Sequence, residues 1–270
     1  MIKTAIENKI VNLYHYQKFN EEYIADLLLN DRIKFSNPSS FNDPWDCKLN
    51  FSKVLLDDPV IYKSNVEYAI DIQRRHLGVP ETELLAQAEQ LSNNRPLMEA
   101  RIDEFTRAMN DAINKDYRVY CLSTEPSNLL MWAHYTESHK GVCFGFKSES
   151  TLLSNALEVV YADNYPKIDP SEEDDEKFFR EVILTKSKAW QYENEYRLIG
   201  KDNVSEDFFT LEDSYLSFDA GDLVSIIIGC SISEENILIL KKILSSRKSH
   251  VELFQVFPAN DKYAFVIRGL

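Results

Sequence analysis

The sequence predicts an α+β protein with a mixed, mainly antiparallel sheet, flanking helices and a helical insertion in its N-terminal half. Strand-like segments cluster toward both ends of the 270-residue chain, and a stretch with helical spacing separates them. Only 7 Gly and 9 Pro leave little room for flexible linkers or low-complexity tracts. We therefore predict a single domain over residues 1–270.

The N-terminal segment predicts a strand, a helix and a second strand. LYHY has the composition of a short strand. Asn20, followed by two glutamates, is a helix-start signal, and the apolar residues after it predict a helix that ends near Asn30. IKFSNP then predicts a strand that enters a loop rich in Asn, Pro, Ser and Asp, which are residues that cap turns or fix backbone angles.

Residues 57–115 are predicted to form about three helices, added to the sheet as an insertion or cap. Turn residues near Gly78 and Asn93 divide the segment. The segment carries few candidate catalytic groups, so a packing layer and a substrate-specific lid both stay open. Apolar residues recur at helical spacing toward its end, at Met98, Ile102, Phe105, Met109 and Ala112.

The remainder of the chain is predicted to alternate strands with short helices. A short helix is expected to begin near Ser127, and Ser233 opens another. KAWQYENEYRL, residues 188–198, is expected to be a strand with Glu193 and Glu195 on one face. Further strands are predicted at YRVYCLST, GVCFGF, LEVVYAD, YLSFD, LVSIIIGC, VELFQVF and YAFVIRG.

Charge and composition exclude several classes of function. A formal charge of −14 argues against broad nonspecific binding to nucleic acid, which depends on Lys and Arg to neutralise phosphates. No apolar run approaches the roughly 18 to 20 residues that span a bilayer, and the start lacks a signal-peptide layout. The cysteines lack zinc spacing and suit a reducing compartment, so a cytoplasmic protein is expected: Cys47, Cys121, Cys143 and Cys230.

Two late glutamates are the first catalytic candidates. On the predicted strand, Glu193 and Glu195 would stand about 6 to 7 Å apart, twice the rise per residue. Partial burial among aromatic neighbours would raise the pKa of one carboxyl, and such a pair can orient a sugar hydroxyl and assist a nucleophile. The alternative is that both are surface residues paired with Lys186, Lys188 or Arg197.

Polar groups near the N-terminus supply further candidates. His15 lies on an apolar strand, where a neutral imidazole can hold a ligand hydroxyl or carry a proton; the alternative is a core histidine. The FNDPWD loop crowds Asn42, Asp43 and Asp46. Oxygen ligands at a proline turn suit a divalent cation or a ribose, whereas the structural alternative is an Asx-turn whose acids cap backbone amides.

Familiar catalytic and cofactor fingerprints are missing. Ser123 with His134 or His139 could imitate a hydrolase pair, but the G-x-S-x-G elbow is absent. Phosphate-loop and dinucleotide glycine patterns are absent too, which disfavours ATP hydrolysis and Rossmann-type hydride transfer. The sequence therefore contains no motif that identifies a metal site or a cofactor.

Taken together, several segments resemble the bacterial domain of unknown function 2971. The likeness runs over nearly the whole chain except residues 57–115, and it implies a bacterial protein but no particular reaction. The segments that carry it are LYHY, FSNPSSFNDPWD, CLSTEPSNLLMWAHYTESHKGVCFGF, KAWQYENEYRL and LVSIIIGCSISEENI.

The order of elements is also similar to that of ADP-ribosyltransferases. In that superfamily an early His or Arg holds the NAD ribose, a middle Ser or aromatic residue packs the nicotinamide, and a late Glu bonds the ribose hydroxyl. The resemblance implies His15 for the first role, Ser123 or Tyr135 for the second and Glu195 for the third, with Glu193 beside the acceptor. FNDPWD and WAHY have no counterpart there.

The sequence therefore predicts one polar pocket for a small-molecule or nucleotide ligand. The resemblance implies an NAD-consuming transferase or glycohydrolase of toxin or phage-defence biology, with NAD as co-substrate. The alternatives are a non-enzymatic nucleotide- or peptide-binding sensor, and a metal-dependent nuclease or hydrolase that uses Asp43, Asp46, His134 and Glu195. The oligomeric state stays open. The pocket is expected to contain His15, Asp43, Asp46, His134, Glu193, Glu195 and Arg197.

Overall fold

The computed structural model describes residues 2–172, 174–202 and 208–270, and the chain folds into two units, each with its own interior. Unit 1 comprises Met1–Ser40, Asp116–Tyr161 and Lys188–Leu270. Unit 2 comprises Phe41–Lys115 and Ala162–Ser187. The helices and the mixed, mainly antiparallel sheet confirm the predicted α+β class.

The strands and helices of the described residues have these bounds. The strands are β1 (Asn12–Gln17), β2 (Arg32–Lys34), β3 (Tyr117–Ser123), β4 (Val142–Lys147), β5 (Leu157–Glu158), β6 (Val160–Ala162), β7 (Thr185–Ser187), β8 (Glu195–Lys201), β9 (Phe209–Thr210), β10 (Tyr215–Ser217), β11 (Leu223–Ile228), β12 (Glu252–Pro258) and β13 (Phe265–Gly269). The helices are α1 (Glu21–Leu29), α2 (Pro59–His76), α3 (Glu81–Asn93), α4 (Arg95–Asp116), α5 (Leu129–Tyr135), α6 (Asp175–Ile183) and α7 (Glu234–Ser246). Short 3₁₀ helices span Pro38–Ser40, Lys53–Asp57, Leu153–Asn155 and Lys188–Glu193.

One sheet of nine strands forms the centre of unit 1. Its strand order is β13-β12-β11-β4-β1-β3-β8-β5, with β9 added beside β8. Neighbouring strands run antiparallel except β11 with β12 and β8 with β9, which are parallel. A separate ladder pairs β2 with β10, so that Lys34 lies opposite Tyr215. Strands from both ends of the chain therefore meet in one sheet, as the sequence predicts.

The two faces of this sheet are covered by different helices. On the first, called the α1/α7 face, Leu13, Tyr120 and Phe144 pack with Ile24 of α1 and Leu240 of α7. On the second, called the α5 face, the buried residues are Tyr16, Met131, Trp132, Cys143, Ile227 and Val256. Because side chains alternate along a strand, the face of each strand residue follows from its neighbours.

Side-chain caps begin the helices where the sequence predicts them. Asn20 accepts a hydrogen bond from the amide of Tyr23 at the start of α1, and Ser233 accepts one from Asn236 at the start of α7. Helix α5 begins after Asn128, one residue beyond the expected Ser127, because the Asn128 side chain accepts from two α5 amides. No helix of the described residues is both long and apolar enough to cross a bilayer.

Unit 2 contains the three helices expected between residues 57 and 115. Asp58 caps α2 by accepting from two amides of its first turn. The apolar spacing noted in α4 buries Met98 and Ile102, and the ring of Phe105 stacks on Phe51 at 5.2 Å between centroids. The role of this segment as a cap stays a prediction.

Candidate functional site

The two late glutamates do not lie on one strand, and that expectation is wrong. Glu193 is the last residue of the 3₁₀ helix Lys188–Glu193, and Glu195 is the first residue of β8. Asn194 between them has a φ of 43°, in the left-handed region. Asn adopts that conformation more readily than most residues. Because Asn194 is not extended, the period-two alternation of β8 does not reach back to Glu193.

Both glutamates are nevertheless buried and hydrogen-bonded, so they are not surface residues. Glu193 is 2% exposed and accepts a hydrogen bond of 2.5 Å from the Tyr135 hydroxyl. Glu195 is 4% exposed and pairs with the fully buried Arg197 through two contacts, Nε to Oε1 at 2.8 Å and Nη2 to Oε2 at 3.0 Å. Arg197 therefore neutralises Glu195 inside the protein.

His15 lies on β1 as a neutral ring. Its imidazole stacks on Tyr120 with centroids 4.1 Å apart, and Nδ1 lies 2.8 Å from the Cys121 carbonyl oxygen, to which it donates as the protonated nitrogen. Burial lowers the pKa of His15 to about 4, although hydrogen bonds with Cys121 and Gln17 act in the opposite direction. His15 therefore carries no charge at neutral pH.

Strand register separates His15 from Glu195. Tyr14 on β1 pairs with Ser123 on β3, and Ser123 pairs with Glu195 on β8, so these three residues share one face of the sheet. One residue along β1, His15 projects to the opposite face, where it stacks on Tyr120. The predicted pocket that combines His15 with Glu195 is therefore not formed.

The other candidates of unit 1 lie on the side of the sheet that carries Glu195. Ser123 is fully buried, and its hydroxyl donates to the Glu193 carbonyl at 2.6 Å while accepting from the amide of Glu125 at 3.0 Å. His134, on α5, packs edge-on against Trp190 with centroids 6.1 Å apart. Ser123, Tyr135 and Glu193 are thus brought together by hydrogen bonds that hold the backbone in place. Their predicted roles in ligand binding stay predictions.

Asp43 and Asp46 belong to unit 2. The Asp43 Oδ1 atom accepts from the amide of Trp45 at 2.9 Å, which is the Asx-turn that the sequence offers as the structural alternative. Asp46 pairs with Lys186 at 3.5 Å, and both side chains are almost fully buried. In the described part of the chain, no group of three or more His, Cys, Asp or Glu residues could hold a metal ion.

Unit 1 contains a cavity of about 730 Å³ that His15 helps to line, and sequence reasoning missed most of its other lining residues. Cavities of this size suit small-molecule ligands. Among its described lining residues, neither Glu193 nor Glu195 occurs. The side chains that matter most to its chemistry are His15, Gln17, Tyr23, Arg32, Lys34, Tyr120 and Tyr215.

The cavity is basic although the chain is acidic. Lys18, Arg32, Lys34 and Arg118 line it, whereas Glu137 is the single acidic residue among its described lining residues. The net charge of the chain is −14, so this concentration of cations runs against the average composition. Arg32 and Arg118 form ion pairs with Asp26 and Asp202, so the excess positive charge that attracts an anion is carried mainly by Lys18 and Lys34.

Aromatic rings hold two of these cations in place. The Lys34 Nζ atom lies 4.5 Å from the Tyr23 ring centroid and 5.4 Å from that of Tyr215. The Arg32 guanidinium lies 4.7 Å from the Tyr215 centroid and pairs with Asp26 at 2.6 Å. A hydrogen bond from Lys34 to the Tyr23 hydroxyl is the main cause that raises the pKa of Lys34, so the ammonium stays charged.

Three lining residues have buried polar atoms without a hydrogen-bond partner among the described residues. These atoms are the Gln17 Nε2, the Tyr120 hydroxyl oxygen and the Arg32 Nε. Tyr120 is 3% exposed, and burial raises its pKa, so the hydroxyl stays protonated. A buried polar atom left unsatisfied costs about 1 to 3 kcal/mol, which a bound ligand would recover.

The sequence contains a partial signal for this cavity. Arg32 and Lys34 stand two apart in RIK, so a strand there places both on one face. Tyr215, which lies opposite Lys34 on β10, is far away in sequence, and no local pattern predicts that pairing.

Comparison with known proteins yields one match. A family model described as protein of unknown function (DUF2971) matches residues 131–198, which supports the resemblance predicted from the sequence. No curated protein and no solved structure matches the chain. The matched segment runs from α5 to β8, and Glu137 alone of the described cavity-lining residues falls within it. The resemblance to ADP-ribosyltransferases stays a prediction.

Proposed function

We propose that the chain binds a phosphate-bearing nucleotide in the basic cavity of unit 1 and acts as a binding or sensor module. The observation that carries the proposal is that one cavity of an acidic protein is lined both by clustered cations and by residues with buried polar atoms that have no hydrogen-bond partner among the described residues. Phosphate oxygens accept from cationic donors, and a sugar or base has groups that match the unpartnered atoms.

The cavity residues divide into three roles in this proposal. Lys34 and Lys18 bind phosphate, because each ammonium has three N–H donors and the Tyr23 hydroxyl accepts only one of those of Lys34. Tyr23 and Tyr215 offer rings on which a base can stack. Gln17 and Tyr120 supply hydrogen bonds to sugar or base edges.

Two observations favour binding over turnover. The neutral, partly buried His15 has a pKa of about 4, which is too low for a group that must exchange protons at neutral pH. The glutamate that an ADP-ribosyltransferase mechanism would need lies on the opposite face of the sheet from His15, in an ion pair with Arg197. NAD remains one of the nucleotides to test, since the sequence resemblance implies it.

Calorimetric titration of the full chain with ADP, NAD and inorganic phosphate tests the proposal. We expect saturable binding of at least one nucleotide, weakened roughly tenfold or more by Lys34→Met, since a hydrogen bond to a charged group contributes about 1.5 to 3 kcal/mol. Tyr120→Phe removes one hydroxyl and should weaken binding less.

Lys201→Met is the matched control. Lys201 also lies over aromatic rings, at 4.5 Å from Tyr117 and 4.8 Å from Phe208, but it does not line the cavity. The proposal fails if neither nucleotide nor phosphate binds saturably, or if Lys34→Met binds as tightly as the unsubstituted chain. Release of nicotinamide from NAD that is lost in Glu195→Gln would instead favour the enzyme.

A further inference from the structure

Unit 2 contains a second cavity of opposite character. It has a volume of about 240 Å³, and residues of the FNDPWD loop, of the segment 162–166 and of α6 and β7 line it. Four of its lining residues are acidic and two are basic. The charged lining residues are Asp43, Asp46, Asp163, Glu181, Lys48 and Lys186.

Asp43 presents an unused acceptor there. It is 3% exposed, and its Oδ1 is occupied by the amide of Trp45, but its Oδ2 has no hydrogen-bond partner among the described residues. A carboxylate oxygen buried without a donor is costly, because a charged group loses its hydration without compensation. The Asx-turn therefore explains the burial of the Oδ1 atom of Asp43 but not that of its Oδ2 atom.

Glu181 presents a second unused acceptor in the same cavity. Its Oε2 is buried and has no hydrogen-bond partner among the described residues, while Arg180 lies 3.8 Å from the other oxygen. The neighbouring cation Lys186 pairs with Asp46 at 3.5 Å. Two residues that line the cavity thus each have a buried carboxylate oxygen without a hydrogen-bond partner among the described residues.

Trp45 and Tyr165 complete the site. Trp45 lines the cavity yet is 64% exposed, so its indole ring is accessible at the mouth, and indole is the aromatic ring that binds cations best. The pKa of Tyr165, another lining residue, is raised to about 12, first by burial and then by neighbouring groups that include the carboxylates of Asp43 and Asp46. The surroundings are therefore electronegative.

We propose that this cavity binds the ammonium or guanidinium group of an organic cation, whose N–H groups donate to Asp43 and Glu181 while Trp45 packs on the charge. A metal ion fits less well, since no group of three or more potential ligands among the described residues could hold one. Organic cations need fewer acceptors, and their several N–H donors match separated carboxylate oxygens. This site is independent of the nucleotide proposed for unit 1.

Titration of the full chain with agmatine, which carries both cationic groups, tests this inference by calorimetry and by tryptophan fluorescence. We expect saturable binding that Asp43→Asn weakens roughly 10- to 100-fold, as for loss of a charge-assisted hydrogen bond. Asp43→Asn keeps the Oδ1 acceptor for Trp45, so the turn should survive. Glu181→Gln gives a second reading if the first variant does not fold.

Asp103→Asn is the matched control, because this acid of unit 2 pairs with Lys53 at 2.6 Å and lies outside the cavity. A parallel titration with acetyl-arginine amide distinguishes capture of a peptide side chain from binding of a free amine, and either result supports the shared chemistry. The inference is overturned if no organic cation binds saturably, if only Mg²⁺ binds, or if both cavity variants bind like Asp103→Asn.

Discussion

Tyr120 and His15 are stacked neighbours that both line the basic cavity of unit 1. Their stacked rings place a neutral imidazole and a protonated hydroxyl beside a cluster of cations. Because neither ring carries charge, attraction of an anion depends on Lys34 and its neighbours, whereas the two rings supply hydrogen bonds with direction. Charge and specificity therefore come from different side chains.

Burial of His15 makes stability depend on pH. The folded pKa is about 4, below the ordinary value of 6.5, so the unfolded chain binds more protons between these values. The contribution of the neutral His15 ring to the free energy of unfolding is therefore fully present above pH 6.5. It is lost as the pH falls toward 4, by roughly 3 kcal/mol in total. We expect His15→Asn, which keeps a donor for Cys121, to remove this dependence.

Urea unfolding at several pH values between 4 and 7 measures this dependence as the difference between the unsubstituted chain and the variant. His250→Asn is the control, because His250 is exposed. Acidic residues titrate in the same range, so only the difference counts. Equal pH slopes for the unsubstituted chain and His15→Asn would show that His15 is not held neutral by the fold.

At the residue scale, the sequence predicts where a side chain lies on its strand better than it predicts which side chains contact it. Alternation in LYHY places His15 on a strand and allows a neutral imidazole, and both features are present. The stacking partner Tyr120 comes from β3, more than a hundred residues away, and no local pattern encodes that contact.

At the scale of elements, the start of β8 shows where local patterning misleads. Aromatic residues that alternate with polar ones in KAWQYENEYRL predict a strand, yet its first part is a 3₁₀ helix that ends before Asn194. The starts of α1 and α7 can be predicted from the sequence, because Asn20 and Ser233 are residue types that cap helix N-termini, and both side chains do so in the structure. A single left-handed residue has no comparably specific signature.

The ion pair on β8 should stabilise the strand start. Arg197→Met leaves Glu195 charged and buried, which costs about 3 to 5 kcal/mol, whereas Glu195→Gln combined with Arg197→Met should recover much of that loss. Urea unfolding of the single and double variants measures the free energy of unfolding. Arg95→Met serves as the control, since Arg95 makes exposed ion pairs, and removing them should cost under about 1 kcal/mol. If the Arg197→Met variant is as stable as the Arg95→Met control, the ion pair does not stabilise the strand start, and the Glu195 carboxylate would be available for chemistry.

At the scale of the whole molecule, the net charge does not reveal that the charged residues lining one cavity are mainly basic and those lining the other are mainly acidic. The net charge of −14 reflects an excess of acidic over basic residues, and it cannot predict that four cations converge in unit 1. Arg32 and Lys34 lie far from Arg118 and from Tyr215 in sequence, so only the fold brings them together. The fold class follows from the order of segments, whereas the cavities depend on long-range pairing.

Hydrogen exchange of the full chain measures whether each ligand protects its own unit. With ADP we expect slower amide exchange in β1, β2 and β10, and with agmatine in the segments 43–48 and 181–187. A ligand at about 100 times its dissociation constant stabilises the bound state by roughly 2.7 kcal/mol, which slows exchange by local opening about a hundredfold. Lys34→Met should abolish only the first pattern and Asp43→Asn only the second, so each variant is the control for the other. Protection of β1 and β2 by agmatine, or of residues 43–48 by ADP, would contradict the assignment of opposite ligand charges to the two cavities.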